Sequence, residues 1–470
     1  MTVTQSIGSF ISRIQNDLIY LAILIFSFAI VYIFRSNKIM KERRYADGVI
    51  GFLLTFFLLG YSTLYSLILV IFHLILYKYA LKNPLLGKIS FIASFFYLAI
   101  LRVIHHIGFP ELKFLSNVVQ LIMTLRVVGL SHEIEDAVKN EKHLEKDKSK
   151  CDSTTRYIQI PTNYDAFNYF YNFIGLYTGP YFTYQIYSDT LSTPNLYNVG
   201  VKAFLYEKLS TLTWSLPSLI VIYIIAPVEF LKSEEVLSTP FFGLIFWMFL
   251  AFIYLRLRIY TAWMIAESIC ILSGIGVYPV DCNNVSCFGP KNVEIYNKLK
   301  NRIDIEYDAT TISNLDIPNV ELSSGYRDGM RAWNRSVQFW LATFVYKRSP
   351  KSIRMPYTMF ISAFWHGIHP GYFLSFMTIP ICTMAEDLIF KIVKVDPKTG
   401  ERPTWFQFIW LNIRTRGFEL MASGFLLLTW NDTVRLWNSV YWWLHIVMLC
   451  IIVSSKAYFA FQKKTDIKKE

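Results

Sequence analysis

The stretch that decides the fold is residues 17–34, DLIYLAILIFSFAIVYIF, in which one aspartate precedes seventeen residues without a charge. A hydrocarbon core about 30 Å thick takes roughly 20 apolar residues in a helix, so this run predicts a membrane-spanning helix. Further long apolar runs follow at residues 49–77, 91–109, 205–226, 241–254 with 260–277, and 437–459, with shorter ones at 357–388 and 421–430.

The composition agrees with a chain made for a membrane. Of its 470 residues, 54% are hydrophobic and 17% are charged, whereas a soluble domain is nearer half apolar and about a quarter charged. The runs predict an all-α, polytopic transmembrane bundle with about nine to eleven spans. Because no internal repeat or separate soluble region interrupts them, we expect residues 1–470 to form a single membrane domain.

Polar stretches separate the apolar runs. Residues 131–162 carry alternating charges and are predicted to be a solvated loop, as are residues 391–403. The stretch 280–334 is longer than a linker requires, and loops beyond about 12–15 residues are often functional or disordered. Residues 163–191 are rich in tyrosine and contain Thr178-Gly179-Pro180. This segment predicts short or re-entrant helices buried in protein, as expected around an enclosed tunnel.

Cations next to the first span indicate its orientation. By the positive-inside rule, they place the end of that span in the cytoplasm and the N-terminus on the other side. The same rule places the C-terminal tail in the cytoplasm. The net charge of +12 needs no nucleic-acid partner, because topology, anionic lipid headgroups and phosphate-bearing ligands account for it. The cations concerned are Arg35, Lys38, Lys41, Arg43 and Arg44, with Lys463, Lys464, Lys468 and Lys469 in the tail.

The loop around residue 284 offers two covalent possibilities. Cys282 and Cys287 could pair if the loop is lumenal, and Asn284-Val285-Ser286 matches the N-glycosylation pattern. Asn284 is the better candidate acceptor, since the same pattern at Asn334 lies in an aromatic helix. No metal-ligand spacing is present, and we expect no metal.

The first candidate for chemistry is Asn334, in Trp-Asn-Arg-Ser-Val-Gln-Phe-Trp-Leu at residues 333–341. On a helix, Asn334 shares a face with Gln338, while Trp333 lies on another face. A neutral amide in a dry cavity can donate to a developing oxyanion or hold a carbonyl in place. Taken alone, it is as consistent with a hydrogen bond that joins two helices.

The second candidate is His366, in Phe-Trp-His-Gly-Ile-His-Pro-Gly-Tyr at residues 364–372. Histidine suits proton transfer near neutral pH, and polar groups at membrane depth are costly enough to indicate function. Gly367 permits close approach of another group, and Pro370-Gly371 breaks the helix. Helical spacing puts His366 and His369 on nearly one face, so chemistry alone leaves the choice between them open.

The two motifs together resemble the membrane-bound O-acyltransferase family, in its lysophospholipid branch. Residues 174–184, 340–347 and 362–380 support the resemblance, which extends over most of the chain from about Tyr164 onward. It implies that His366 is catalytic, that Asn334 is its polar companion, and that His369 shapes the pocket. It also implies a helical bundle around a tunnel, with acyl-CoA entering from the cytoplasm and the lysolipid from the bilayer or lumen.

The resemblance therefore predicts an acyl-CoA-dependent enzyme of phospholipid remodelling in the endoplasmic reticulum membrane. His366 is expected to act as general base on the free sn-2 hydroxyl of a lysophospholipid, favoured to be lysophosphatidylinositol, and Asn334 to position the thioester or its oxyanion. Acyl-CoA is a co-substrate, and no cofactor is expected. Residues expected to contact substrate are Trp333, Gln338, Trp365, His369, Tyr346, Lys347 and Arg348.

Two alternatives remain open on the sequence alone. Another lysophospholipid head group or a non-glycerolipid acceptor would fit the same motifs. A membrane transporter also has broken helices, aromatic belts and buried polar groups, although paired half-repeats and acidic residues at midplane would be typical of it.

Overall fold

The structure, a computed structural model, describes residues 3–37, 39, 42–146 and 156–467. Lys38, Lys41, Lys468 and Lys469, named above for orientation, lie outside these residues. Helices dominate the described chain, and the few strands are two residues long. The architecture is all-α, as predicted. The chain divides into two compact units: Met1–Thr213, Thr261–Asn314 and Arg335–Trp340 in the first, and Trp214–Tyr260, Leu315–Asn334 and Leu341–Glu470 in the second. The prediction of one domain over 1–470 stays a prediction.

The first unit is built around one buried helix, Phe114–Lys146, against which Leu86–Val103 packs. The α-helices that lie wholly in this unit are Val3–Ser36, Arg43–Leu59, Thr63–Ala80, Leu86–Val103, Phe114–Lys146, Asn163–Phe170, Tyr184–Ser192, Lys202–Ser210 and Val293–Leu299. Arg126, fully buried, donates to the carbonyls of Tyr169, Phe170, Asn172 and Ile174. One guanidinium thereby supplies hydrogen-bond donors to several backbone carbonyls of a buried turn, where no regular secondary structure pairs them.

The second unit has Pro370–Ile392 at its centre, packed against Arg354–His366, Thr404–Leu427 and Trp443–Ile467. Gly371 lets two of these helices touch, because a Cβ there would lie 2.2 Å from the carbonyl oxygen of Gly424. The α-helices wholly in this unit are Glu234–Leu237, Ile317–Leu322, Tyr326–Ala332, Arg354–His366, Pro370–Ile392, Thr404–Leu427, Trp430–Ser439 and Trp443–Ile467. Leu212–Ile225, Phe241–Leu272 and Arg335–Phe344 contribute residues to both units.

The long apolar helices have the length that a bilayer requires. Within the described residues, eight segments are long and apolar enough to cross a membrane: Gln15–Ser36, Arg43–Ala80, Leu86–Ile107, Phe114–Glu141, Lys202–Lys232, Phe241–Leu272, Pro370–Ile392 and Trp443–Lys463. This is fewer than the about nine to eleven expected from run length. Residues 421–430 are not a span of their own, since they contain the end of Thr404–Leu427, which also carries Arg414, Arg416 and Glu419.

The loop predicted over residues 131–162 is wrong in its first half, because Phe114–Lys146 continues through it as a helix. Ile134, Ala137 and Val138 are buried and extend the apolar face. The acidic residue just before them has a structural role. Glu133 accepts from the backbone N–H groups of Tyr184 and Gln185 at 3.0 and 3.1 Å, capping the helix Tyr184–Ser192. The second half of the predicted loop contains residues 147–155, which lie outside the described chain.

The structure also describes the other two polar segments and the tyrosine-rich segment. Residues 393–403 connect Pro370–Ile392 to Thr404–Leu427 without a helix, which confirms a loop there. In the stretch 280–334, Asn284–Val285 pairs antiparallel with Gly289–Pro290. Tyr278–Pro279, just before it, pairs with Tyr307–Asp308. The tyrosine-rich segment forms the short helices Asn163–Phe170 and Tyr184–Ser192, most of whose residues are buried, as predicted.

Candidate active site

Asn334 lies between two helices, not on one. Tyr326–Ala332 ends before it and Arg335–Phe344 begins after it. Its φ of 47° and ψ of 55° place it in the left-handed region, which asparagine tolerates better than most residues with a side chain. The prediction that Asn334 shares a helix face with Gln338 is therefore wrong, because the chain turns sharply at Asn334.

Asn334 is half-buried, and its carboxamide makes no hydrogen bond to the residues that the structure describes. It stands at the N-cap position of Arg335–Phe344 but does not cap the helix. Asn314 does so instead, since its carbonyl oxygen accepts from the N–H of Arg335 and its Oδ1 accepts from the N–H of Ser336 at 2.9 Å. Among the residues that the structure describes, none hydrogen-bonds the Asn334 side chain. The expectation of a hydrogen bond joining two helices therefore has no support in these contacts.

His366 is the last residue of the helix Arg354–His366 and is half-buried. Four aromatic rings surround its imidazole. The centroid of the Phe376 ring lies 5.2 Å away and is stacked with it, and the Phe425 ring is 5.1 Å away and nearly perpendicular. Trp365 and Tyr372 complete the ring of neighbours at 4.7 and 5.8 Å. These four rings hold the imidazole in place, and His366 remains partly exposed.

His369 does not share a helix face with His366. The first helix ends at His366, and the next begins at Pro370, with His369 as its N-cap residue. His369 is exposed, and its ring lies 5.8 Å from that of Tyr372. Gly367 allows this tight packing, because a Cβ there would lie 2.9 Å from Cε2 of Tyr372. The helix break at Pro370-Gly371 and the close approach at Gly367 are both confirmed.

The other residues predicted to contact substrate are spread over several elements. Trp365 is buried beside His366. Trp333 is half-buried with its ring centroid 6.3 Å from that of Tyr260. Gln338 is half-buried in the first unit. The structure packs Trp365 against His366, and it packs both His366 and His369 against Tyr372. Asn334 and Trp333 lie on another segment of the same unit.

The basic residues after Phe344 form an exposed turn. Tyr346–Arg348 is a 3-10 turn in which Lys347 and Arg348 are exposed, while Tyr346 is half-buried. The guanidinium carbon of Arg354 lies 4.5 Å from the centroid of the Tyr346 ring. No acidic residue occurs between Asp328 and Glu386 in the sequence.

The loop around Asn284 is more constrained than its sequence indicates. The Asn284 Nδ2 group donates to the carbonyl of Pro279 and to Oδ2 of Asp308, both at 2.9 Å. A glycan on that nitrogen would replace one of these hydrogen bonds, and glycosylation there stays a prediction. Cys282 and Cys287 are both buried free thiols.

Sequence reasoning missed the residues that hold these groups in place. Phe425 was not named because it is far from His366 in the chain, although it touches the imidazole. Glu386 is also distant in the chain, yet it caps the helix Tyr326–Ala332 by accepting from the N–H groups of Tyr326 and Arg327. The only available signal was an acidic residue inside an apolar run.

An imidazole and an uncommitted amide are the groups that acyl transfer requires. The first can take a proton from a hydroxyl, and the second can donate to the oxygen that becomes negative during attack on a carbonyl. Both belong to the second unit.

Comparison with known proteins supports this chemistry. The chain is 40% identical to the membrane-bound acylglycerophosphatidylinositol O-acyltransferase of Caenorhabditis elegans over 444 residues, which is 93% of this chain and 94% of the relative. It is 32% identical to the enzyme of the same description from Xenopus laevis, over 93% of each chain. The human enzyme of that description is 31% identical, over 92% of each chain.

The family model of the membrane-bound O-acyltransferases matches residues 13–415. That range includes Asn334, His366 and seven of the eight candidate spans. Buried polar groups are consistent with a transporter as well as with an enzyme. The match to an enzyme family accounts for them here, so the transporter alternative is set aside. This multi-pass membrane protein is an O-acyltransferase and belongs to the membrane-bound O-acyltransferase family.

Proposed function

We propose that this O-acyltransferase moves a fatty acyl group from acyl-CoA to the free sn-2 hydroxyl of lysophosphatidylinositol, in the endoplasmic reticulum membrane. The observation that carries the proposal is that one unit of the fold contains both a half-buried amide without a hydrogen-bond partner among the described residues, at Asn334, and an imidazole packed among aromatic rings, at His366. The names of the relatives support the acceptor, since each relative is an acylglycerophosphatidylinositol O-acyltransferase.

In the proposed reaction, the His366 imidazole removes the proton from the acceptor hydroxyl as its oxygen attacks the thioester carbonyl. The Asn334 amide donates to the carbonyl oxygen while it carries negative charge. Collapse of the tetrahedral intermediate breaks the carbon–sulfur bond, and the imidazolium returns its proton to the departing CoA thiolate. The products are a diacyl phospholipid and free CoA, and the enzyme ends in its starting state.

We assign the donor's phosphates to the exposed turn Tyr346–Arg348. Lys347 and Arg348 present two cations there, and the nearest acidic residues along the chain are Asp328 and Glu386. Arginine and lysine are the usual partners of phosphate groups. Trp333, Gln338, Trp365 and His369 are assigned to contacts with the substrates.

The catalytic assignment is tested with purified enzyme, labelled acyl-CoA and lysophosphatidylinositol. We expect His366→Ala to lower kcat by about 10²–10⁴-fold and Asn334→Ala by about 10²–10³-fold. His106→Ala is the control, since it removes an exposed imidazole from a segment with no proposed catalytic or binding role and should retain the wild-type activity. Each variant's thermal unfolding must match the wild type. Wild-type turnover in a well-folded His366→Ala or Asn334→Ala protein would refute the assignment.

The acceptor is tested by replacing lysophosphatidylinositol in the same assay with lysophosphatidylcholine, lysophosphatidylserine, lysophosphatidic acid and diacylglycerol. The proposal requires the highest kcat/KM for the inositol lipid. Faster acylation of another lysolipid would keep the chemistry and change the acceptor, whereas no product with any of them would reject the function. In the same series, the double variant Lys347→Ala with Arg348→Ala should raise KM for acyl-CoA with little change in kcat.

A further inference from the structure

The segment that ends at Asn334 consists of two helices too short to be stable alone. Ile317–Leu322 has six residues and Tyr326–Ala332 has seven, whereas isolated helices below about 12–15 residues are marginal in water. The place of Asn334 therefore depends on what holds these helices. Three polar side chains on three long helices bind this segment: Glu386, Arg414 and Tyr260.

Glu386 caps the N-terminus of the helix Tyr326–Ala332. It is 4% exposed on the helix Pro370–Ile392, and its carboxylate accepts from the N–H of Tyr326 and from the N–H of Arg327 at 3.3 Å. The N-cap residue of that short helix is Gly325, which has no side chain to offer. Glu386 thus supplies from another helix the cap and the negative charge that a helix N-terminus favours.

Gly325 is needed for this contact. A Cβ at Gly325 would lie 2.5 Å from Oε2 of Glu386, closer than real contacts allow. The φ of Gly325 is −154°, which any residue adopts. Space beside the carboxylate, not backbone freedom, is the reason for glycine at this position.

Arg414 holds the preceding helix. It is 1% exposed on Thr404–Leu427, and its guanidinium donates to the carbonyls of Val320 and Glu321 and to Oγ of Ser323 at 2.9 Å. These carbonyls belong to the last turn of Ile317–Leu322, which has no intrahelical donors left to satisfy them. From the third long helix, Phe241–Leu272, Tyr260 donates to the Glu321 carboxylate at 2.6 Å.

From these contacts we propose that Glu386 is a positioning residue for acyl transfer, acting through the backbone of Tyr326–Ala332 on the carboxamide of Asn334. The proposal rests on the catalytic role of Asn334 proposed above. A buried carboxylate costs more than an apolar contact would, and a displacement of about 1 Å at a catalytic group can cost about 10²-fold in rate. A fixed hydrogen-bonded cap limits such displacement.

The chain offers a matched control in the next residue. Asp387 lies on the same turn but is exposed, and its carboxylate binds the side chain of Arg327 at 2.8 Å instead of the backbone. Glu386→Gln replaces one acceptor oxygen by a donor that opposes an N–H group. We expect this variant to lower kcat by about 10–100-fold with KM for both substrates unchanged, and Asp387→Asn to behave as the wild type.

The decisive measurement repeats Glu386→Gln in the Asn334→Ala background. If Glu386 acts through Asn334, the second substitution should lower kcat less than threefold further there, because the group it positions is gone. An equal loss in both backgrounds would overturn the proposal and leave Glu386 a stabilising residue. If Glu386→Gln lowers kcat but Asn334→Ala alone leaves kcat unchanged, the catalytic role of Asn334 is overturned as well. The two failures can therefore be told apart.

Hydrogen exchange of residues 326–334 provides a readout that needs no substrate. Exchange should rise in Glu386→Gln and remain at the wild-type rate in Asp387→Asn. If Glu386→Gln does not fold, Gly325→Ala replaces it, since this substitution keeps the carboxylate and pushes it away from the two N–H groups. Full activity in a folded Gly325→Ala protein with raised exchange would also overturn the proposal.

Discussion

At the scale of single residues, His366 ends the helix Arg354–His366, and Asn334 immediately precedes the helix Arg335–Phe344. His366 and Asn334 could be named from their motifs, and the family match includes both positions. Their backbone settings could not be named, because helical periodicity assumes a continuous helix and both residues lie where a helix ends or begins. Pro370 marked one of these breaks, whereas nothing local marked the left-handed turn at Asn334.

The thiols in the loop before the catalytic segment carry a prediction at the same scale. Burial raises the pKa of Cys282 and of Cys287 to about 11 each. Thiolate is the reactive form, so at pH 8 it should be about a hundredfold scarcer than for a thiol of pKa near 9. We expect iodoacetamide to label both residues at least that much more slowly in the native protein than in denaturant, with rates that rise with pH.

Mass mapping of the labelled peptides checks this prediction. The denatured, unreduced protein is the control, because both free thiols should then react fully. If Cys282 and Cys287 stay unlabelled in denaturant until a reductant is added, they form a disulfide and the prediction is wrong.

At the scale of elements, acidic residues inside helices act as caps for other helices. Glu133 on Phe114–Lys146 caps Tyr184–Ser192, and Glu386 on Pro370–Ile392 caps Tyr326–Ala332. In the sequence, the first of these carboxylates indicated a solvated loop, since charge usually marks a surface. The error has a physical cause: the partner N–H groups are about 50 residues or more away and cannot be seen in a local pattern.

Close packing of short elements on long ones leads to a prediction about Gly51. In the helix Arg43–Leu59, a Cβ at Gly51 would lie 1.6 Å from the carbonyl oxygen of Tyr171. Gly51→Ala gains at most about 1 kcal/mol in helix propensity, whereas overpacking typically costs about 1–3 kcal/mol or more. We therefore expect a net loss of stability, measured as a lower Tm in detergent. Gly200→Ala is the control, since a Cβ there meets nothing within 4 Å; equal Tm values for both variants would contradict the packing argument.

At the scale of the whole molecule, run length predicted the membrane character and the helical class, but not the number of spans. Residues 241–277 read as two runs and contain one helix, Phe241–Leu272, followed by a turn. Residues 49–77 form one apolar run in the sequence and belong to two helices, Arg43–Leu59 and Thr63–Ala80. Hydropathy records how apolar a stretch is, while the breaks depend on packing that only the folded chain shows.

The cations used to orient the chain have a second role in the structure. Arg43 is 2% exposed, and its guanidinium binds the buried carboxylate of Asp47 at 3.0 Å and the carbonyl of Ser273 at 2.6 Å. Arg44, next to it, has a side chain that is 57% exposed and binds Asp165 at 3.1 Å. Both count equally as positive charges for topology, but only the first is buried with its partner.

This difference separates orientation from stability. We expect Arg43→Gln to lower the free energy of unfolding by about 3–5 kcal/mol, because Asp47 is left as an uncompensated buried charge. Arg44→Gln should cost about 0–1 kcal/mol, as is usual for an exposed ion pair. Thermal unfolding in detergent measures the stability, and protease protection of an N-terminal tag in sealed microsomes measures the orientation. Each variant keeps the other cations next to the first span, so the tag should stay on the same side of the membrane in both. Inverted topology in Arg43→Gln, or equal loss of stability in the two variants, would show that Arg43 acts chiefly as a topological signal.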